Sequence, residues 1–254
     1  MKISQPQRYA DIFALRAESH DAAFTLYPEA CREEVGSLLA LLAPAAGERL
    51  LDVPSAGGFV SRYLNHPGVR LTAVDPSPAL HRLCRSRVAD SHLAPLDDLP
   101  FQNASFDAVF CLAGLHHEPD PSAVLREIRR VLREGGRVGI AEVTEGSPVA
   151  DFLNGFVDRH SSLGHSGRFL RPSFSRTLRG TGLRILSDRI AEYHWRFRSR
   201  SDLADCLRLM FGIDRADPSL IVAYIEDNLG LDQLPDGWLG MRWSLRQILA
   251  EREA

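Results

Sequence analysis

The stretch LPFQNASFDAVFCLAGLHHEPDPSAVLREIRRVLREGGRVGIAEV, residues 99–143, decides the fold. Its apolar run 106–112 has the length and composition of a buried strand. A helix-sized segment 121–133 follows, Gly135-Gly136 break it, and a second apolar run fills 137–143. Strand, helix and strand in that order make a βαβ unit, whose right-handed crossover lays the two strands parallel in one sheet.

Working upstream, the same alternation continues. A helical stripe through Val35, Leu38, Leu39, Leu41 and Leu42 leads by way of PAAGE into a buried strand at 49–53. Residues 59–64 read as a helix, 69–74 as a second strand ending at Asp75, 78–87 as a helix, and the short apolar piece around His92 and Leu93 as a third strand. Downstream of Glu145 the pattern stops, and glycine, serine and arginine dominate through Gly182. Segments 183–190 and 193–197 then read as one long strand or a strand pair. Two helical stripes follow at 201–211 and 218–229, the first capped by Ser199 or Ser201 and the second by Asp217 with Pro218 in its first turn. Residues 238–249 close the chain as a strand or a helix. No internal repeat or low-complexity linker divides it.

Composition narrows the function. At 254 residues the chain is long enough for one large domain, and 44% hydrophobic with 25% charged residues is the balance of a soluble globular protein. A net charge of −3 gives no electrostatic footprint for nucleic acid, so no nucleic-acid partner is expected. No run is long enough to span a membrane, and MKISQPQRYA lacks the apolar core of a secretory signal, so the expected location is cytoplasmic. Cys31, Cys84, Cys111 and Cys206 are widely spaced and form no CxxC pair, which argues against a disulfide framework or a zinc knuckle; no metal site is expected.

In a parallel sheet ligands bind beyond the C-terminal strand ends, so the residues that follow each strand carry the chemistry. Asp52-Val53-Pro54-Ser55-Ala56-Gly57-Gly58 is a strand running into a tight turn, where small residues let the backbone approach a ligand and a helix N-terminus offers free amides. Asp75 sits at the end of the next strand, about 20 residues on, the spacing of an acid that accepts hydrogen bonds from a ribose. A solvated strand-end aspartate is the plain alternative; the joint spacing makes it less apt.

These segments, with Leu99-Pro100-Phe101, Ser105-Phe106-Asp107-Ala108-Val109, Leu115-His116-His117 and 124–138, resemble in order and spacing the class I S-adenosylmethionine-dependent methyltransferases, of the type 11-like group, over about residues 48–145. The resemblance implies an α/β, Rossmann-like class I methyltransferase fold: a seven-stranded, mostly parallel sheet with helices on both faces and a C-terminal helical lid insertion. It divides the chain into an N-terminal helical cap segment (1–30), an S-adenosylmethionine-binding core (31–145) and a C-terminal part (146–254) that completes the sheet and carries the lid at about 200–230. It implies S-adenosyl-L-methionine as cofactor, yielding S-adenosyl-L-homocysteine, and methyl transfer to an oxygen or nitrogen of a small-molecule or carrier-bound substrate. Asp52, Pro54, Ser55, Ala56, Gly57 and Gly58 are placed on the methionine side, Asp75 and Pro76 at the ribose, Leu96 and Asp97 near the adenine, and Cys111, Leu112 and Ala113 near the cofactor's centre.

The family's turn is usually Asp-x-Gly-x-Gly-x-Gly, and here Pro54 and Ala56 replace its first two glycines. Proline fixes φ and donates no hydrogen bond, and alanine adds a methyl group. Weaker affinity, a shifted pose or loss of binding are each physically open, and the last leaves a methyltransferase-like protein that binds cofactor or a partner without transfer. For a nucleophile that must lose a proton, His117 is the first candidate base and His165 the second, set against a packing role. His20, Tyr27 and Tyr193 also border the expected substrate side. Arg196, Arg198, Arg200 and Arg208 near the lid suit a carboxylate or a phosphopantetheine-bearing carrier, or form a solvated face. Trp195, Phe197, Phe211, Trp238 and Trp243 make a pocket wall or a lid core. A homodimer or a partner protein is left open.

Overall fold

The computed structural model describes residues 9–253, so the first eight residues of the cap segment, including most of the stretch read for a signal, lie outside it. Eight strands are present among the described residues: β1 (Arg49–Asp52), β2 (Arg70–Asp75), β3 (Ser91–Leu93), β4 (Phe106–Leu112), β5 (Leu132–Glu142), β6 (Leu183–Phe197), β7 (Leu231–Gln233) and β8 (Leu239–Arg252). They form one sheet in the order β3-β2-β1-β4-β5-β8-β6, with β7 pairing on β8. The β1–β2, β1–β4, β2–β3 and β4–β5 pairings are parallel, whereas β8 runs antiparallel to β5, β6 and β7.

The fold is the expected Rossmann-like one, with eight strands where seven were expected, the additional one being the three-residue β7, Leu-Asp-Gln, which has no apolar run to mark it. Segments 183–190 and 193–197 are one strand, and the last segment is a strand from residue 239 onward. The Gly135-Gly136 break is a bulge inside β5: Leu132 pairs with Phe106 and Arg137 with Ala108, so residues 133–136 loop out around Gly135 at φ +68°.

The helices are α1 (Tyr9–Leu26), α2 (Arg32–Leu42), α3 (Val60–Tyr63), α4 (Pro78–Cys84), α5 (Pro121–Val131), α6 (Pro148–Asp151), α7 (Asp158–His160), α8 (Phe174–Gly180), α9 (Arg200–Phe211) and α10 (Pro218–Asn228). A π-helical stretch, Phe152–Val157, joins α6 to α7. Pro121 opens α5 behind Asp120, whose side chain accepts from the Ser122 amide at 2.9 Å.

Strand alternation sorts the core into two faces. Leu50, Ala108, Phe110 and Ala141 point to one side with Leu38 and Leu42 of α2. Leu51, Val109, Cys111 and Ile140 point to the other with Val124, Leu125 and Ile128 of α5. Burying each of the leucine, isoleucine, valine and phenylalanine side chains among them contributes roughly 1.5–3 kcal/mol. Helices α9 and α10 lie between β6 and β7, and α1 packs against both α4 and α9, crossing above the C-terminal ends of the strands. Among the described residues no helix is long and apolar enough to cross a membrane. All four cysteines are free thiols and buried.

Candidate functional site

The parallel strands deliver three carboxylates to one rim: Asp52 ends β1, Asp75 ends β2 and Glu142 ends β5, all three buried. Asp75 Oδ1 accepts from the Ser77 amide (2.9 Å), and Oδ2 accepts from the Ala56 amide (2.8 Å) and the Tyr9 hydroxyl (3.3 Å). Burial pushes its carboxyl up to about 7 against the opposing pull of those hydrogen bonds. Burial, and then the neighbouring Asp75, raise Asp52 well above the carboxylate range. Its Oδ2 is buried without a hydrogen-bond partner.

The turn after β1 explains its own departures from the glycine pattern. Pro54 lies on Gly114, where an added Cβ would stand 2.2 Å from the proline Cγ. Ala56, Gly57 and Gly58 run through left-handed conformations at φ +45°, +92° and +81°. The left-handed geometry costs alanine about 1–2 kcal/mol, and it aims the Ala56 amide at Asp75. Gly57 and Gly58 leave no room for side chains: a Cβ would meet the Phe59 ring and Asp21 at one, and the Cys84 sulfur at 2.9 Å at the other. Ser55 turns inward, its Oγ 3.6 Å from Cys84 Sγ.

Two cavities flank the Tyr9–Asp75 contact. The outer one, about 430 Å³, is lined by Pro76, Leu96 and Asp97 together with Ala10 and Pro119. The inner one, about 140 Å³, lies under α1 and takes in Ala56, Leu112, Ala113, His117 and His165. Cys111 lines neither; it is fully buried with α5, because alternation along β4 turns it away from Leu112. The aromatic wall of the inner cavity comes from Trp195, Phe211 and Trp243, while Phe197 is fully buried. Trp238 lies beneath the Arg198 guanidinium, 3.8 Å from its ring centre. Arg196 pairs with Asp236 and Arg200 with Glu226, so the lid arginines are distributed among local partners instead of forming one anion cradle.

The inner cavity also holds Glu34 and Arg16, which sequence reading passed over, and His20, which it placed on the substrate side. Glu34 accepts from Trp195 Nε1 at 2.6 Å, and burial pushes it up to about 8. Arg16 donates to the Met210 carbonyl and is lowered by burial to about 10, so it stays charged. Burial, and then Arg16, lower His20 to about 3.

Three histidines meet at the rim of β4 and β5. His116 and His117 ride a 3-10 turn (Leu115–His117), and His165 comes from the loop after α7. Ring centres stand 4.0 Å apart for His116 and His117, and 5.3 Å for His117 and His165. One ring nitrogen from each lies within 4.8 Å of the other two. Burial, and then His116, hold His117 and His165 well below the ordinary imidazole value, so both are neutral at physiological pH. Glu142 Oε2 bonds His116 Nδ1 at 2.8 Å. Glu142 was legible in principle, being the same strand-end acid as Asp52 and Asp75. Tyr9 and Asn154 were not, because only folding brings them to the rim.

The residues fit S-adenosylmethionine: an unpartnered buried Asp52 oxygen suits an ammonium group, Asp75 suits paired hydroxyls once Tyr9 yields, and the outer cavity suits a flat base. Comparison with known proteins agrees. A family model described as a methyltransferase domain matches residues 51–140. A ubiquinone biosynthesis O-methyltransferase of Xanthomonas axonopodis pv. citri (strain 306) is 32% identical over 171 residues, 61% of this chain and 71% of that protein. One from Xanthomonas oryzae pv. oryzae (strain PXO99A) is 38% identical over 112 residues; the alignment spans 41% of this chain but only 46% of that relative's length. The solved structure of an S-adenosylmethionine-dependent methyltransferase from Thermotoga maritima superposes with a TM-score of 0.66 at 16% identity, covering 96% of this chain and 99% of the other, a likeness of fold.

Proposed function

Because the chain belongs to the methyltransferase-domain family of class I S-adenosylmethionine-dependent enzymes, we propose that it methylates an oxygen atom of a small, ring-sized metabolite. The carrying observation is the inner cavity, which joins the turn at Ala56 to the histidine cluster and has the volume that accommodates one six-membered ring. The names of the relatives support an oxygen acceptor over nitrogen.

Asp52 would hold the methionine ammonium, Asp75 the ribose hydroxyls, and Pro76, Leu96 and Asp97 the adenine. When bound, the cofactor supplies an electrophilic sulfonium methyl group. The chain's own work is alignment and exclusion of water: α1 roofs the cavity through Tyr9, Phe13 and Arg16, and Trp195 and Trp243 wall it. Tyr9 caps Asp75 until hydroxyl groups replace it. His117 at Nδ1, unpartnered and neutral, is the first candidate to take the acceptor's proton, and His165 the second. Pro54 and Ala56 do not favour a chain without transfer, since Ala56 still presents its amide to Asp75 and Gly114 accommodates the proline.

The test is calorimetric titration with S-adenosylhomocysteine, followed by incubation with S-adenosylmethionine and a panel of single-ring hydroxyl compounds. Saturable binding and a product heavier by one CH2 are expected. Absence of binding overturns the reading.

A further inference from the structure

We propose that His116, His117 and His165 form a binding site for one divalent transition-metal ion of the kind imidazole favours, such as zinc or iron(II). The three offered nitrogens lie within 4.8 Å of one another, and the hydrogen bonds around them fix which nitrogens are available. Glu142 accepts from the Leu115 amide through Oε1 and faces His116 Nδ1 through Oε2, so Nδ1 is the donor to the carboxylate and Nε2 is the nitrogen left to face an ion. Asn154 is oriented without ambiguity: its Nδ2 donates to the Gly167 carbonyl and its Oδ1 accepts from the Gly167 amide, each at 2.8 Å. The same Oδ1 stands 2.8 Å from His165 Nδ1, which must therefore donate, leaving Nε2 of His165 with its lone pair. His117 Nδ1 is buried with no protein partner.

Three ring nitrogens turned toward one another, with the second nitrogen of two of the rings already held by Glu142 and Asn154, make a poor hydrogen-bonding set but a good ligand set. Anchoring of the second ring nitrogen by a carboxylate or a carbonyl oxygen is the arrangement that orients metal-binding histidines. The scaffold is rigid where it needs to be. The Arg168 amide donates to the His116 carbonyl at 2.8 Å, and an added Cβ at Gly167 would stand 2.9 Å from His116 Cδ2, so the loop carrying His165 is stapled onto the turn carrying His116. Asn154 is presented by the π-helical stretch, an irregularity that recurs at functional sites. Nitrogens bound at about 2.0–2.1 Å around a tetrahedral ion stand about 3.3 Å apart. The offered nitrogens lie within 4.8 Å of one another, and His117, only half-buried and without a partner at Nδ1, is the ring with freedom to turn toward that spacing.

Three protein ligands leave a fourth position open, and here it faces the inner cavity, where an acceptor oxygen would occupy it. With the ion bound, His117 and His165 serve as ligands in place of bases. That catalytic role rests on the methyl-transfer reading; the ion site does not.

The test uses the full chain, stripped with a chelator and titrated with cobalt(II) chloride alone, followed by visible ligand-field absorption, and with zinc chloride alone in a calorimeter. One equivalent should bind with the intense bands of a four-coordinate site. His117→Ala and His165→Ala should each weaken binding by at least about tenfold, Asn154→Ala by about 10–100-fold, and the exposed His66→Ala not at all. Circular dichroism and melting curves confirm that each variant is folded. No saturable binding by the wild type, or equal binding by folded His117→Ala and His165→Ala, overturns the proposal. Intact S-adenosylhomocysteine binding alongside absent metal binding refutes the ion site alone; the reverse pattern refutes the methyl-transfer reading alone.

Discussion

Replacing Asp75 with asparagine separates the cofactor role of this residue from its role in the fold. The carboxylate spends both oxygens on the Ala56 and Ser77 amides and adds a third bond from Tyr9. Two ribose hydroxyls donating to it would contribute about 1.5–3 kcal/mol each. Release of Tyr9 offsets one of these, leaving a net of about 2–3 kcal/mol. An asparagine offers a single acceptor oxygen already claimed by an amide, so S-adenosylhomocysteine affinity should fall by about 30–150-fold in calorimetry at neutral pH. Stability should move differently. A carboxyl whose folded value lies near 7, above its unfolded value of 3.8, favours the fold while protonated and loses that contribution as pH rises from about 4 through about 7. The asparagine variant lacks this loss, worth at most about 4 kcal/mol above pH 7, but leaves one amide unpaired at about 1–3 kcal/mol. Urea unfolding should therefore show a variant that gains on the wild type as pH rises across that window. Affinity within about threefold of wild type would refute the placement of the ribose on Asp75.

Gly114→Ala should destabilise the chain by about 1–3 kcal/mol or more, because the new methyl group would overlap Pro54, whereas Gly155→Ala, with open space around it, should not; equal melting temperatures for the two would refute the packing argument. Glu34→Gln keeps the Trp195 bond and removes a carboxyl that burial holds at about 8, so its stability advantage over wild type should grow from about pH 4.5 to pH 8, toward a ceiling of about 5 kcal/mol; a pH-independent difference in urea titrations would contradict the shift. Ala56→Gly should leave stability within about 1 kcal/mol, since relief of the left-handed alanine is offset by glycine's extra backbone entropy; a larger loss on thermal unfolding would mean that the methyl group packs.

Much of the fold was legible in residues 99–143, because a strand buried on both faces and an amphipathic helix each write a local period into the sequence. The strand-end acids Asp52 and Asp75 were legible for the same reason, their place following from where the apolar runs stop. The sequence determined the parallel sheet, its rim and the histidine pair on that rim. Only the tertiary structure decided what fills the rim. Tyr9 reaches Asp75 across 66 positions, Trp195 reaches Glu34 across 161, and Glu142 and Asn154 orient histidines held on other elements. No local period encodes these meetings, because each depends on how separately formed helices and loops pack. The turn at Pro54 and Ala56 belongs to both levels. Its residues look like a degraded motif in the sequence, and they make sense only beside Gly114, which supplies in space the room that the turn itself lacks.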